Sequence, residues 1–117
     1  MGGGNPAFFS WCRILLAATL AGAAAAAAGE VPSPARQAEL WALLRQDCGS
    51  CHGLTLRGGL GPPLRPEALS GKDPQSLAAT ILYGRPGTAM PPWSRFLSED
   101  EAAWLVRRLL EAGPDER

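Results

Sequence analysis

Apolar residues recur at helical spacing in three stretches of the chain, and each stretch opens on a residue that caps helices. In the first, Leu40, Leu44, Cys48 and Cys51 follow one another at intervals of four, four and three. That spacing puts them on one face of a helix. Ser33 as N-cap and Pro34 at the first helical position predict its start, and the pattern predicts that it runs through about Asp47. The second stretch repeats the cap-plus-proline start with Asp73-Pro74, carries Leu77 and Ile81 on its inner face, and stops at Gly84. In the third, Ser98-Glu99-Asp100-Glu101 is a capping box. Leu105 and Leu109 with Val106 and Leu110 form its apolar stripe, and Gly113-Pro114 ends it. No segment sustains period-two alternation, so the pattern predicts an all-α domain of three main helices.

The segments between these helices are long. From Gly53 to Gly71 the chain holds five glycines and three prolines, and from Arg85 to Leu97 it holds three prolines and Gly87. Both read as loops. Two such loops in so small a domain need something to fill the space between them, and a bound cofactor would do so.

The first third of the 117 residues is foreign in composition to the rest. Arg13 precedes the unbroken apolar and small-residue run Ile14 to Ala28, which ends in Ala26-Ala27-Ala28. A positive flank, an apolar centre and a small-residue cleavage site make residues 1–28 a secretory signal peptide. The run is shorter than the about 20 apolar residues of a membrane span, so the mature form is expected not to cross the bilayer. Cys12 leaves with the signal. Residues 29–33 then form a linker, 34–113 the domain and 114–117 a C-terminal tail.

Cleavage after Ala28 leaves 89 residues with two cysteines, one histidine, one methionine, 10 basic and 11 acidic side chains. That near balance gives no case for nucleic acid or an anionic membrane as partner. A chain of this size buries only a modest core, which makes a stabilising bridge, metal or cofactor the expectation.

Cys48-Gly49-Ser50-Cys51-His52 decides among these, because C-x-x-C-H is the attachment signature of c-type haem. Two thiols one helical turn apart each form a thioether with one vinyl group of the porphyrin, and the adjacent histidine is held under the iron. Other readings of the motif fit less well. A structural zinc needs four ligands, and the mature chain offers three cysteine and histidine side chains in all. A thioredoxin-like pair needs a βαβ pattern, and a plain Cys48–Cys51 disulfide leaves the loops without a core. His52 is therefore the expected proximal ligand. Its second ring nitrogen needs an acceptor, for which Gly61-Pro62-Pro63-Leu64 is the candidate segment.

The sixth ligand cannot be a second histidine, since the chain has only one. Met90, 38 residues beyond His52 and followed by Pro91-Pro92, is the default. Without the haem motif such a methionine reads as a gap-filler of the core. With it, thioether ligation suits the reduced iron and raises the potential.

In this order of parts, a helix into Cys48-x-x-Cys51-His52, then Gly61-Pro62-x-Leu64, Met90-Pro91 and a closing helix, the sequence resembles the class I c-type cytochromes over nearly all of residues 34–113. The resemblance implies that the Pro62 carbonyl accepts the proximal histidine's N–H. It also implies that Leu64 packs on the haem and that the first and last helices cross. Arg108 stands where the family usually has an aromatic, and Trp104 one turn earlier is expected to take over its packing. More narrowly, the run Asp47 to Leu56 and the run Gly84 to Trp93 resemble the small periplasmic cytochrome that denitrifying bacteria make with their cytochrome cd nitrite reductase, the NirC type. That implies a periplasmic protein that donates electrons to the reductase or serves the maturation of its d-type haem.

The expectation is thus a monomeric single-haem electron carrier and not an enzyme, since a peroxidase-like site needs an open iron position and a distal acid-base group. Residues 53–97 carry Arg57, Arg65, Lys72, Arg85 and Arg95 against Glu67 and Asp73, a net of +3. These charges are expected to be scattered and solvated, or to include an Arg85 that instead faces a haem propionate, or to form a basic rim that meets an acidic patch on a redox partner.

Overall fold

The structure, a computed structural model, describes residues 1–2 and 29–111. The signal peptide, the Gly113-Pro114 stop and the tail lie outside the described residues. Among those described every regular element is helical, and no helix is long and apolar enough to cross a membrane.

Helix α1 spans Pro34–Leu43. Ser33 caps it by accepting the Arg36 N–H on its hydroxyl at 3.3 Å, satisfying one of the donors that a helix start leaves orphaned. The helix does not stop near Asp47. It continues through a π-helical stretch, Leu44–Cys48, into a last turn, α2, Gly49–His52. Gly49 has ordinary right-handed helical angles and is buried, so it continues the rod instead of breaking it. Gly53 ends the rod at φ +89°, a conformation costly to a residue with a Cβ.

The first expected loop holds one short helix, α3, Pro66–Leu69. Proline at its start and the burial of Leu69 explain a turn that periodicity alone did not reveal. Helix α4, Pro74–Tyr83, begins as expected: the Asp73 carboxylate accepts the Ser76 N–H and hydroxyl, both at 2.8 Å. Those bonds hold the Asp73 carboxyl below its usual range. Gly84, at φ +69°, ends it. Leu82 is its buried residue, whereas Leu77 and Ile81 are only half-buried against the core. Leu77 and Ile81 pack against the core as expected of the inner face, and Leu82 joins them there.

Helix α5, Glu99–Glu111, opens on the capping box in full. The Ser98 hydroxyl accepts the Glu101 N–H at 3.2 Å, and the Glu101 carboxylate accepts the Ser98 N–H at 2.9 Å. Ala102, Trp104, Leu105, Val106 and Leu109 are buried along it. Together with Leu40, Leu44, Leu56, Leu69, Leu82 and Leu97, most of them make one core.

The first and last helices meet through an aromatic pair and an ion pair. Trp41 stands edge-on to Trp104 with ring centroids 5.8 Å apart, a geometry worth about 0.5–1.5 kcal/mol beyond its buried area. Trp104 thus fills the place of the absent aromatic, and the Arg108 guanidinium lies over its ring at 5.6 Å. One turn toward the N-terminus, Arg36 donates to Glu101 at 2.6 Å, to Glu39 at 2.7 Å and to the Phe96 carbonyl at 3.0 Å.

The Arg36 bond, aided by the Ser98 N–H and opposed by burial, holds the Glu101 carboxyl below the usual glutamate range. A carboxylate with a lowered folded pKa contributes stability that is present above the ordinary glutamate value and is lost as pH falls through the folded value. Glu101→Gln is expected to cost about 1 kcal/mol at neutral pH, the pair being partly exposed. That difference from the native chain should shrink toward zero in acid. Urea unfolding of the holoprotein across pH measures it, and a difference that does not depend on pH would contradict the pairing.

Candidate functional site

The last turns of the first helix carry Cys48, Cys51 and His52. Both cysteines are free thiols and half-buried. Burial, with a smaller push from Asp47, raises the Cys48 thiol to about 11, so before any attachment it is un-ionised at neutral pH. Asp47 also places its carbonyl to accept the Ser50 hydroxyl at 2.6 Å, which ties Ser50, between the thiols, to the helix.

After Gly53 the chain folds back beneath the same turn. The Gly58 N–H donates to the His52 carbonyl and the Gly61 N–H to the Cys51 carbonyl, each at 2.8 Å. These bonds satisfy helix-end carbonyls and bring the next residues against the imidazole. His52 Nδ1 lies 2.7 Å from the Pro62 carbonyl oxygen. A carbonyl only accepts, so Nδ1 carries a proton and donates, and in the neutral ring it is Nε2 that keeps the lone pair. A Cβ on Gly61 would come within 2.7 Å of the His52 ring atoms Cε1 and Nδ1. The backbone at Gly61 has no left-handed angle to explain a glycine there; the ring occupies the space. The motif showed Gly61, but the reason for it lies in this contact.

Leu64 is half-buried against the core, and its N–H donates to the Leu56 carbonyl at 3.0 Å. Leu56 is fully buried and sits at φ +54°, a conformation that a leucine adopts only when its surroundings hold it. The Gly53–Leu64 loop is thus pinned at both ends.

Met90 lies on the other loop and is half-buried. The Arg85 N–H donates to its carbonyl at 3.2 Å, and its own N–H donates to the Thr88 hydroxyl at 3.3 Å. The Trp93 N–H returns to the Leu82 carbonyl at 3.0 Å and closes the loop on α4. At Gly84 a Cβ would stand 2.7 Å from the Met90 carbonyl oxygen. The structure therefore joins Cys48, Cys51, His52, Pro62 and Leu64 in one unit and holds Met90 on a second, separately braced loop.

These residues fit a covalently bound haem. Two free thiols lie one turn apart, an imidazole with an available Nε2 follows, and the half-buried apolar side chains Leu64, Leu77, Ile81 and Trp93 line the edge of the core. Of the charged residues between 53 and 97, Arg57, Lys72, Arg85 and Arg95 are exposed, as are Glu67 and Asp73. Arg65 is turned inward, donating to the Thr55 carbonyl at 3.1 Å and lying 3.7 Å from Glu67.

Comparison with known proteins agrees with this geometry. The family model described as cytochrome c oxidase, cbb3-type, subunit III matches residues 35–107. Cytochrome c55X of Pseudomonas aeruginosa is 60% identical over 98 residues, covering 84% of this chain and 82% of that protein. The solved structure of a c-type cytochrome NirC is 63% identical and superposes with a TM-score of 0.70, covering 71% of this chain and 98% of that one. Dihydro-heme d1 dehydrogenase of Pseudomonas aeruginosa is 42% identical over 93 residues, 80% of this chain but 17% of that larger protein. The chain belongs to the c-type cytochromes, in the cytochrome c55X family, and is an electron carrier with covalently bound haem c.

Proposed function

We propose that the protein is a periplasmic carrier, not an enzyme, that donates single electrons to a cytochrome cd nitrite reductase. Cys48 and Cys51 would hold the haem, and His52 Nε2 and the Met90 sulfur would serve as the ligands of its iron. The observation that carries the ligand assignment is the 2.7 Å contact of His52 Nδ1 with the Pro62 carbonyl, beside two free thiols. The haem supplies the one-electron couple; the chain's residues set its orientation and surroundings. The Pro62 carbonyl fixes the tautomer and plane of His52. Leu64 would cover the cofactor, and Gly61 lets the loop backbone approach the imidazole closely.

Similarity to a segment of dihydro-heme d1 dehydrogenase favours a second reading, in which the same couple serves the maturation of the reductase's d-type haem. Deleting the gene separates the two. Reductase that keeps its d-type haem but is poorly reduced supports electron delivery, while loss of the d-type haem supports maturation.

Replacing Met90 with Ala is expected to open the iron, speed the binding of external ligands and lower the potential. The drop should be about 0.1 V or more, a fraction of the roughly 0.8 V that axial ligands command. Unchanged absorption and potential would show that another group ligates.

The exposed Arg57, Lys72, Arg85 and Arg95 form the basic rim of this reading, without Arg65. Encounters between redox proteins are small and brief, so steering governs their rate. Stopped-flow electron transfer to the purified reductase is expected to slow as salt rises, since charges beyond about 8 Å are screened at physiological ionic strength. A flat or rising rate would remove the rim from the account.

A further inference from the structure

From Pro34 to His52 the chain is one rod, and its single irregularity is the π-helical stretch Leu44–Cys48. There the Gly49 N–H bonds to the Leu44 carbonyl, five residues back, where an α-helix bonds four back. A turn closed this way holds one extra residue, so everything after it lags by about one residue, roughly 100° of rotation.

The lag changes which residue shares the face of Leu40 and Leu44, which are 0% and 2% exposed. On an uninterrupted α-helix, at about 100° per residue, Cys51 stands about 20° round from Leu40 and His52 about 120°. With the lag, His52 comes to about 20° and Cys51 moves about 80° to the other side. The π turn thus trades a thiol for the imidazole on the core-facing stripe.

Both ends of the rod are held by other parts of the fold. Upstream, Arg36 is bound to Glu101 and the Phe96 carbonyl, and Trp41 packs on Trp104. Downstream, the Gly58 and Gly61 N–H groups hold the His52 and Cys51 carbonyls, and the Pro62 carbonyl holds the ring. Between two fixed ends, the number of residues decides whether both dockings are met at once. Gln46 and Asp47 in the π stretch are exposed, so their side chains give no packing reason for it. Poorer hydrogen-bond geometry makes such a turn rare unless something requires it.

We propose that the π turn at Leu44–Cys48 is the register device that presents His52 to the iron while α1 stays docked on α5, and that residue count, not side-chain identity, is what it depends on. This rests on the assignment of His52 as proximal ligand.

Deleting Gln46 removes the extra residue without touching the core, and Gln46→Ala keeps the count while removing the side chain. Covalent haem content, visible spectrum, reduction potential and far-ultraviolet circular dichroism are measured for both holoproteins. Gln46→Ala is expected to match the native protein throughout. The deletion variant is expected to keep its helicity and lose the native low-spin spectrum and potential. Native spectrum and potential in the deletion variant would overturn the proposal, as would their loss in Gln46→Ala. A second measurement on the native holoprotein decides independently of how the deletion folds. Scalar coupling across hydrogen bonds should link the Gly49 N–H to the Leu44 carbonyl, and a link to Arg45 instead would overturn the proposal. A native protein without a histidine–iron signature would overturn the His52 assignment, which sets that failure apart from a failure of the register.

Discussion

The contact between His52 Nδ1 and the Pro62 carbonyl is the constraint on which the arrangement of this small domain depends. An imidazole can rotate and change tautomer freely unless its second nitrogen is held. Holding it requires a carbonyl at a fixed place ten residues away in sequence, and so requires the intervening loop to have one shape. Gly53 supplies the reversal, the two carbonyls at the helix end tie down Gly58 and Gly61, and the buried Leu56 anchors the middle. Each is a local cost in entropy or strain that makes little sense in a loop without a task.

The core is lopsided in a way that matches a cofactor. Leu40, Leu44, Leu82 and the α5 residues are buried as in any helical domain, while Leu64, Leu77, Ile81 and Trp93 remain half open at the edge of the core. A chain this short cannot afford to leave that much apolar surface wet. Covalent attachment resolves the difficulty, because the macrocycle becomes part of the chain's own core and its loss no longer competes with folding. The two long loops, which would argue against a compact domain, are then the walls of its site.

Features encoded within a few residues were legible in the sequence. Ser33, Asp73 and the Ser98–Glu101 box cap helices where expected, Gly84 ends one, and the C-x-x-C-H motif with Gly61-Pro62 announced both the cofactor and the carbonyl found against His52. Features set by parts far apart in sequence were not. The Arg36–Glu101 pair joins residues 65 apart; each was readable as an ordinary charged surface residue, and Glu101 as a cap alone. Leu82, which the expected inner face of α4 did not include, is the residue most deeply buried on it. The π turn was invisible for the same reason, since an i, i+4 pattern scores a helix as regular and only the clamping of both its ends shows otherwise.

The two loops treat their proposed ligands alike. At Gly61 the backbone packs against the His52 ring, and at Gly84 against the Met90 carbonyl, so closely that a Cβ at either place would fall 2.7 Å from its neighbour. Gly84 also needs its left-handed angle to end α4, whereas Gly61 is excluded from being anything larger by the ring alone. Electron transfer moves no heavy group, so the demand on a carrier is that the same ligand positions serve both oxidation states. A backbone in direct contact meets that demand better than a side chain does, since it has no rotamers to sample. Small size, in this fold, is compatible with well-braced positions for His52 and the Met90 backbone, because the loop backbone beside each is closed by hydrogen bonds and not by bulk packed around it.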